Sequence, residues 1–491
     1  MSNGVASSQF SGRVIRGGFW VFALRITQQV FNLVRLVILA RLLAPVDFGL
    51  IGIALLTVAA LDTLSETGFR EALIQKKENI ESYLNSAWTI LIFRGFMIFG
   101  ALYFSAPYVA RFFDSPGAQS VIRVIGLSVL FQAFTNIGVV YFQKELEFNK
   151  QFLYELSGTL SDFVVSLSLA LIFNNVWALV FGLLAGEFVR CFLSYLIHPY
   201  RPRPCFEWAR AKELWGFGRW VLGSSILIFL ITHGDDIFVG KVLGATALGF
   251  YQMAYRISNM PATEITHTTI KVIFPAFSKL QCSSLLLQKG FLRVLRLVSF
   301  LSLPVAGGIL VLSDNLPAVL GEQWKPIIPL VMILSLQAAS RSIRGVLGSA
   351  VMAVGRPEVV AKNSFLQLVV LVLTIYPASS LFGISGVAMV VALQTLVTTP
   401  SLVREVLPKI HVTYLEFIKA VAFPLLASLG VVCIMFLVQL NVGFGVPSLM
   451  GEAFLITLIY AGFCLLCWRL GVFSQSFEDL RRLKFLFAKG E

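Results

Sequence analysis

The stretch "RLLAPVDFGL" (residues 41–50) has a second copy, "KVLGATALGF" (residues 241–250), which lies 200 positions later in the same register. Both copies begin with a basic residue and carry leucine at the third position and glycine at the ninth. The match extends upstream without a gap, and the equivalent positions are Gly18/Gly218, Trp20/Trp220, Val21/Val221, Arg41/Lys241, Leu43/Leu243 and Gly49/Gly249. A register kept over this distance predicts an internal duplication of the chain.

The composition of the chain is typical of a membrane protein. Of its 491 residues, 57% are hydrophobic and 13% are charged, and the mean hydropathy is +0.82. Soluble domains carry about 25% charged residues. Apolar runs recur along the chain, each about 20 residues long, which is enough for a helix to cross a hydrocarbon layer about 30 Å thick. Because lipid offers the backbone no hydrogen-bond partner, we predict an all-α integral membrane protein.

The apolar runs predict about fourteen transmembrane helices. They cover residues 18–43, 46–66, 84–106, 118–141, 156–174, 176–198, 218–242, 245–265, 291–313, 327–352, 363–381, 383–403, 415–439 and 451–471. An even number of spans places both termini on the same side of the membrane.

The basic residues indicate which side that is. They concentrate in the predicted inner segments, such as Arg13 and Arg16 before the first span and Arg201 and Arg203 after the sixth, whereas outer segments hold few. Cytoplasmic loops carry an excess of Lys and Arg, so we predict that both termini are cytoplasmic. This topology explains the net charge of +13, and we expect no nucleic-acid partner.

The duplication defines the predicted domains. Six spans separate the two copies, and because six is even, the copies point the same way, as in parallel repeats related by a pseudo-two-fold axis along the membrane normal. We predict an N-terminal six-helix lobe (1–198), a cytoplasmic connection (199–217), a second six-helix lobe (218–403), and two additional transmembrane helices with a cytoplasmic tail (404–491). Two such lobes predict a transporter that rocks around a central site.

A polar stripe on the first span indicates where that site lies. Arg25, Gln28, Asn32 and Arg35 fall on one face of the helix. An arginine at mid-membrane costs about 2.5–3.5 kcal/mol on insertion scales, so the stripe is expected to face protein or a water-filled cavity.

The second copy has acids at the matching place. Asp235 is the repeat equivalent of Arg35, and Asp236 follows it. We hypothesise that one of them pairs with Arg35 across the cavity, in a contact that an anionic substrate breaks. The alternative is an ion pair that only locks two helices together.

Further polar residues within predicted spans complete the candidate site. We assign substrate binding to Arg25, Gln28, Asn32, Arg35, Arg94, Gln252, Arg256, Arg341 and Arg344. We assign gating, or coupling to a proton or a sodium ion, to Asp62, Glu66, Asp235 and Asp236. The acids need no coupling role if they serve only as partners of the arginines. A net basic cavity favours an anionic cargo.

No catalytic residue, metal site or resident cofactor is expected. The sequence has no Walker motif and no zinc-binding HExxH motif. Cys464 and Cys467 lie three residues apart in an apolar helix without a nearby histidine, which favours a pair of small lipid-buried residues over a metal site. We therefore predict that the protein is not an enzyme.

Three blocks of the sequence resemble the signatures of polysaccharide flippases of the Wzx type. They are "ARLLAPVDFGLIGIALLTVAALDTLSETGFREALIQKKE" (40–78), "DDIFVGKVLGATALGFYQMAYRISNMPATEITHTTIKVIFPAFSKLQ" (235–281) and "AVGRPEVVAKN" (353–363). The likeness is to the branch that handles O-antigen, exopolysaccharide or colanic-acid-like units. That family belongs to the MOP (multidrug/oligosaccharidyl-lipid/polysaccharide) exporter superfamily.

The resemblance implies a function and partners. It implies that undecaprenyl-pyrophosphate-linked oligosaccharides are moved across the bacterial inner (cytoplasmic) membrane, by alternating access around a cationic central cavity, for exopolysaccharide or lipopolysaccharide synthesis. The partners it implies are the lipid-linked oligosaccharide, membrane lipid, and polysaccharide polymerase or chain-length proteins. The last two helices would offer a groove for the lipid tail.

Two other functions fit parts of the pattern. A cation-coupled multidrug extruder of the same superfamily shares the predicted fold, but cationic drugs favour acids over arginines in the cavity. A membrane glycosyltransferase or polymerase would need a large external loop with catalytic residues, and the predicted loops are short.

Overall fold

The computed structural model describes residues 2–65, 81–145, 147–204, 228–259 and 283–439, together with residues 226, 277, 278, 451, 460 and 462. In these residues every regular element is a helix and no strand occurs, so the prediction of an all-α protein is confirmed. The long helices are α1 (Ser2–Leu42), α2 (Pro45–Leu64), α3 (Glu81–Phe112), α4 (Pro116–Phe134), α5 (Phe148–Phe173), α6 (Trp177–Ile197), α7 (Ile228–Asn259), α8 (Ser284–Leu312), α9 (Ile328–Ala353), α10 (Pro357–Val406) and α11 (Tyr414–Gln439).

The surfaces of these helices suit a lipid environment. Eleven segments in the described part of the chain are long and apolar enough to cross a membrane. They expose large apolar side chains, including Phe104 at 75% and Leu381 at 76%. A soluble protein rarely exposes apolar surface on this scale. The predicted class, a multi-pass membrane protein, is therefore confirmed.

Two of these eleven segments each cover parts of two predicted spans, and each contains a break in its helical geometry. α7 contains a π-helical turn at Val239–Leu243, followed by Gly244 with a φ of +88°. α10 departs from helical geometry at Gly383, where φ is +59°. Each break falls where one predicted span gives way to the next, the seventh to the eighth and the eleventh to the twelfth. The predicted span 451–471 lies almost wholly outside the described residues, so the total of fourteen stays a prediction.

By its internal contacts the chain forms two compact units, Met1–Gly249 and Phe250–Glu491. In the first unit, α5 and α6 pack closely. A Cβ on Gly186 of α6 would lie 2.9 Å from the carbonyl oxygen of Gly158 on α5. Small residues spaced four apart let helix backbones approach in a membrane, and Gly182 supplies the second such position on α6. The predicted lobe boundaries stay a prediction.

A buried aspartate fixes the start of α2 in the first unit. Asp47 Oδ2 accepts a hydrogen bond of 3.0 Å from the backbone N–H of Ala44, and Oδ1 accepts one of 2.9 Å from the N–H of Val176, just before α6. Helix starts leave backbone N–H groups without partners inside the helix, so one carboxylate here serves two helix starts.

The duplicated stretch forms a reciprocal contact within the first unit. Gly49 lies against the backbone of Ala245, and Gly249 lies against the carbonyl group of Pro45. A Cβ on either glycine would collide with the facing carbonyl oxygen. The 200-residue shift converts each of these contacts into the other, which is the pattern of a two-fold axis. Glycine is required because only a backbone without a Cβ fits at this distance.

The chain leaves α6 through a polar junction at His198. The imidazole stacks on the ring of Tyr141, with centroids 5.5 Å apart and planes 2° from parallel. Its Nδ1 accepts a hydrogen bond of 3.1 Å from the backbone N–H of Tyr200. Burial lowers the pKa of His198 below its usual value, and the positive charge of Lys150 lowers it further. Both effects favour the neutral imidazole over the protonated one.

In the second unit, α8, α9, α10 and α11 surround one apolar core. Phe291 of α8, Leu347 of α9 and Val406 of α10 are all fully buried in it, and Ala420 of α11 completes the contact. This core holds α9 against both ends of the long helix α10. The arginines of α9 are therefore presented on a helix whose position is fixed by packing.

Candidate functional site

The polar stripe on α1 contacts α5. Gln28 Nε2 donates a hydrogen bond of 3.3 Å to Thr159 Oγ1, and the guanidinium of Arg35 forms an ion pair with Asp162. Asn32 lies between them and is half-buried, whereas Arg25 is exposed. Gln28 and Arg35 thus face protein. The acid opposite Arg35 is Asp162 on α5, and the sequence did not indicate this pairing.

The acids of α7 lie near a histidine. His233 Nδ1 is 3.6 Å from Asp236 Oδ2, and Asp235 is buried at 5% exposure. The hypothesised pairing of Arg35 with Asp235 or Asp236 stays a prediction.

One predicted substrate-binding residue contacts one predicted coupling residue. Arg94 on α3 forms an ion pair with Asp62 near the end of α2. Its Nε also donates a hydrogen bond of 2.9 Å to the carbonyl oxygen of Ser65, and its Nη2 donates one of 3.0 Å to the carbonyl oxygen of Asp62. A cation beside the last carbonyls of a helix stabilises its C-terminus, so Arg94 joins α3 to α2. Glu66 lies outside the described residues.

A charge cluster between α5 and α6 was not predicted. Arg190 Nη1 is 2.5 Å from Glu187 Oε1, and Arg190 Nε is 3.9 Å from Glu155 Oε2. The stem of Arg190 lies across Gly158, where a side chain would collide with it. The spacing of Glu187 and Arg190, three residues apart on one helix, is the only signal of this pair that the sequence offered.

In the second unit the two arginines of α9 have neutral partners. Arg341 Nη1 donates a hydrogen bond of 2.5 Å to the hydroxyl oxygen of Tyr255. Arg344 Nη2 donates one of 2.6 Å to Asn363 Oδ1. Its Nη1 donates hydrogen bonds of 3.1 and 3.2 Å to the hydroxyl oxygens of Thr398 and Thr399.

Residues of α7 that belong to the second unit add to this group. Arg256 is exposed and has neither a hydrogen bond nor an ion pair among the described residues, and Gln252 is half-exposed. Asn259 Nδ2 donates a long hydrogen bond of 3.4 Å to Gln337 Oε1 on α9. That all nine predicted binding residues line one cavity stays a prediction.

Five membrane-embedded arginines divide by the chemistry of their partners. Arg35, Arg94 and Arg190 in the first unit each meet a carboxylate. Arg341 and Arg344 in the second unit meet only hydroxyl and amide oxygens within the described residues. A guanidinium next to a carboxylate has much of its field cancelled, whereas one held by neutral oxygens keeps its attraction for an anion. The second unit therefore offers the stronger anion-binding group.

Among the residues that the structure describes, no group of three or more His, Cys, Asp or Glu side chains is placed to hold a metal ion. Cys464 and Cys467 lie outside the described residues.

Comparison with known proteins identifies the family. The lipopolysaccharide biosynthesis protein WzxC of Escherichia coli (strain K12) is 27% identical over 85% of this chain and 86% of its own length. The succinoglycan biosynthesis transport protein ExoT of Rhizobium meliloti (strain 1021) is 26% identical over 61% of each chain. Among solved structures, the lipid II flippase MurJ in an inward closed conformation matches in fold with a TM-score of 0.73, at 14% identity, over 93% of this chain and 99% of its own. A family model described as polysaccharide biosynthesis protein matches residues 38–329, which is more than half of the sequence. The chain therefore belongs to the polysaccharide biosynthesis protein family.

Proposed function

We propose that the protein is a flippase. It moves an oligosaccharide linked to undecaprenyl pyrophosphate from the inner to the outer leaflet of the bacterial cytoplasmic membrane, for cell-surface polysaccharide. The transport and flippase roles named for its relatives support this proposal and favour a transporter over an enzyme. The observation that carries it is the pair Arg341 and Arg344, two membrane-embedded arginines with neutral partners only in the described part of the chain.

The cargo requires such residues. An ionised diphosphate cannot enter hydrocarbon unaided, because the loss of hydration costs far more than thermal energy. Guanidinium groups replace water with charge-assisted hydrogen bonds, and their planar fork fits phosphate oxygens two at a time. The inside-negative potential then favours outward movement of the anion by about 2.3 kcal/mol per charge per 100 mV.

The competing functions fit less well. A cationic drug would be repelled by Arg256, Arg341 and Arg344, which have no carboxylate partner within the described residues. The extruder function therefore fits these residues less well. A glycosyltransferase would need an activated acid or nucleophile beside a sugar site. The candidate binding group in the second unit contains arginines, amides and hydroxyls instead.

The return step needs its own driving force. We propose that the unloaded protein is reset by binding a proton or a sodium ion in the first unit, where acids accompany the arginines. Asp235 and Asp236 are the first candidates to bind this ion; when it leaves on the cytoplasmic side, the freed carboxylate re-forms a contact with Arg35, which is the resetting event. We also propose that both termini are cytoplasmic, on the side where the predicted inner segments carry the excess of Lys and Arg, and that a polymerase or chain-length protein of the same membrane contacts the inner loops.

The test is complementation of a bacterium that lacks its own flippase for exopolysaccharide. We expect the wild-type chain to restore surface polymer, and we expect Arg341→Ala and Arg344→Ala to lose it at equal membrane abundance. The matched control is Arg356→Ala. Arg356 directly precedes α10 and is exposed, and its guanidinium lies 3.4 Å from the carboxylate of Glu358. Resistance to lipophilic cations without restored polymer would replace the flippase by the extruder.

A further inference from the structure

The three oxygens around Arg344 are oriented as acceptors by their own neighbours. The hydroxyl of Thr398 donates its proton to the carbonyl oxygen of Gln394 at 2.7 Å, and that of Thr399 donates to the carbonyl oxygen of Thr395 at 2.5 Å. A hydroxyl has one proton, so each of these oxygens can present only lone pairs to the guanidinium.

The amide of Asn363 is oriented in the same way. Its Nδ2 donates a hydrogen bond of 3.0 Å to the carbonyl oxygen of Thr398, which turns Oδ1 toward Arg344 at 2.6 Å. Asn363 and Thr398 are buried, at 5% and 0% exposure. They lie on opposite sides of the break at Gly383, so the site joins both halves of α10 to α9. We name Asn363, Thr398 and Thr399 the neutral cradle.

The neutral cradle leaves part of the guanidinium unused. A guanidinium has five N–H donors. The cradle uses three of them, through one bond to Asn363 and one to each threonine. The other two N–H groups have no partner among the residues that the structure describes, and no carboxylate there forms an ion pair with Arg344. Both the charge and two donors remain for a ligand.

We propose that the neutral cradle positions Arg344 for the diphosphate of the lipid-linked cargo while keeping its charge uncompensated. This rests on the proposed function and adds three positioning residues to it. A carboxylate in place of Asn363 would hold the guanidinium more firmly, yet it would cancel the charge that the diphosphate needs. The amide at position 363 therefore serves anion binding at the expense of helix-to-helix attachment.

The test uses the full-length protein in discs of neutral lipid, with inorganic pyrophosphate as the probe. We expect Asn363→Asp to unfold close to the wild-type temperature, because the new ion pair with Arg344 offsets the lost hydrogen bond from Nδ2 to the carbonyl oxygen of Thr398. We expect its affinity for pyrophosphate to fall on the order of 100-fold, as a like charge then faces the ligand. Thr399→Val removes one acceptor of the neutral cradle and adds no charge, so we expect a lower unfolding temperature and an affinity that falls less than in Asn363→Asp, by about tenfold. The charge-matched control is Asn174→Asp, at an exposed turn after α5, where the affinity for pyrophosphate should not change.

Several outcomes would overturn the proposed role of the neutral cradle. Unchanged pyrophosphate affinity in Asn363→Asp would show that Arg344 serves attachment only, and failure of this variant to fold would show that the site does not tolerate a carboxylate beside Arg344. If the protein no longer binds pyrophosphate when the discs contain phosphatidylglycerol, the site is a site for a lipid headgroup. The proposed function fails separately, if the wild type binds pyrophosphate through Arg344 but restores no surface polymer.

Discussion

The ion pair between Arg35 and Asp162 allows a structural role to be separated from a functional one. Their side chains are 19% and 17% exposed, and Asp162 Oδ1 is buried with no hydrogen-bond partner among the described residues. Arg35→Ala leaves a carboxylate with neither a cation nor a second donor. Removing one partner of a buried pair costs about 3–5 kcal/mol, and the residual exposure places this pair at the lower end, about 3 kcal/mol. In a chain of this size that corresponds to a Tm lower by about 3–6 °C.

The assay is thermal unfolding of the detergent-solubilised protein, with surface-polymer complementation beside it. The double variant Arg35→Leu/Asp162→Leu removes both charges, and we expect it to regain the wild-type Tm to within about 2 °C, since a buried pair replaced by apolar groups is near neutral in stability. If Arg35 binds cargo, the double variant stays inactive although it is stable. Recovered transport would reduce the pair to a lock between α1 and α5, and an unchanged Tm in Arg35→Ala would refute the reasoning altogether.

Three further perturbations test the fold around the site. Asp47→Ala leaves the N–H groups of Ala44 and Val176 without their acceptor, and we expect a loss of about 2–4 kcal/mol in the free energy of unfolding, seen as a lower Tm. Gly249→Ala should cost about 1–3 kcal/mol against the carbonyl of Pro45, whereas Gly100→Ala, which has open space, should be neutral or stabilising. The pKa of His198 is lowered in the folded state, so on acidification the unfolded chain takes up a proton before the folded chain does. The free energy of unfolding should therefore be constant above about pH 6.5 and fall as the pH drops below that value. His198→Asn should flatten this slope.

The breaks between spans were predictable from the sequence because they need particular residues. Gly244 and Gly383 adopt positive φ values of +88° and +59°, which L side chains rarely take. Both lie at ends of apolar runs whose lengths match a bilayer. The duplication identified Gly49 and Gly249 as equivalent positions, but the reciprocal contact that they make became visible only in the folded chain.

The partners of the charged residues were not predictable. Periodicity placed Arg35 on a polar face, but the acid opposite it lies on α5, and nothing local to α1 specifies which helix packs there. Likewise, Arg94 and Asp62 were assigned separate roles, and the structure joins them as one helix-end contact. Only the spacing of Glu187 and Arg190 on one helix carried a readable signal.

The sequence by itself determined the membrane class, the helical architecture and the duplication, because the cost of exposing backbone and charge to lipid restricts which residues stand where along the chain. It also supplied the arginines. The tertiary structure decided which arginines meet carboxylates and which meet neutral oxygens, and hence which of them keep their charge for an anion. Side-chain contacts between helices far apart in the sequence set that difference. Arg344 joins residues 19 to 55 positions away, a relation that no local pattern encodes.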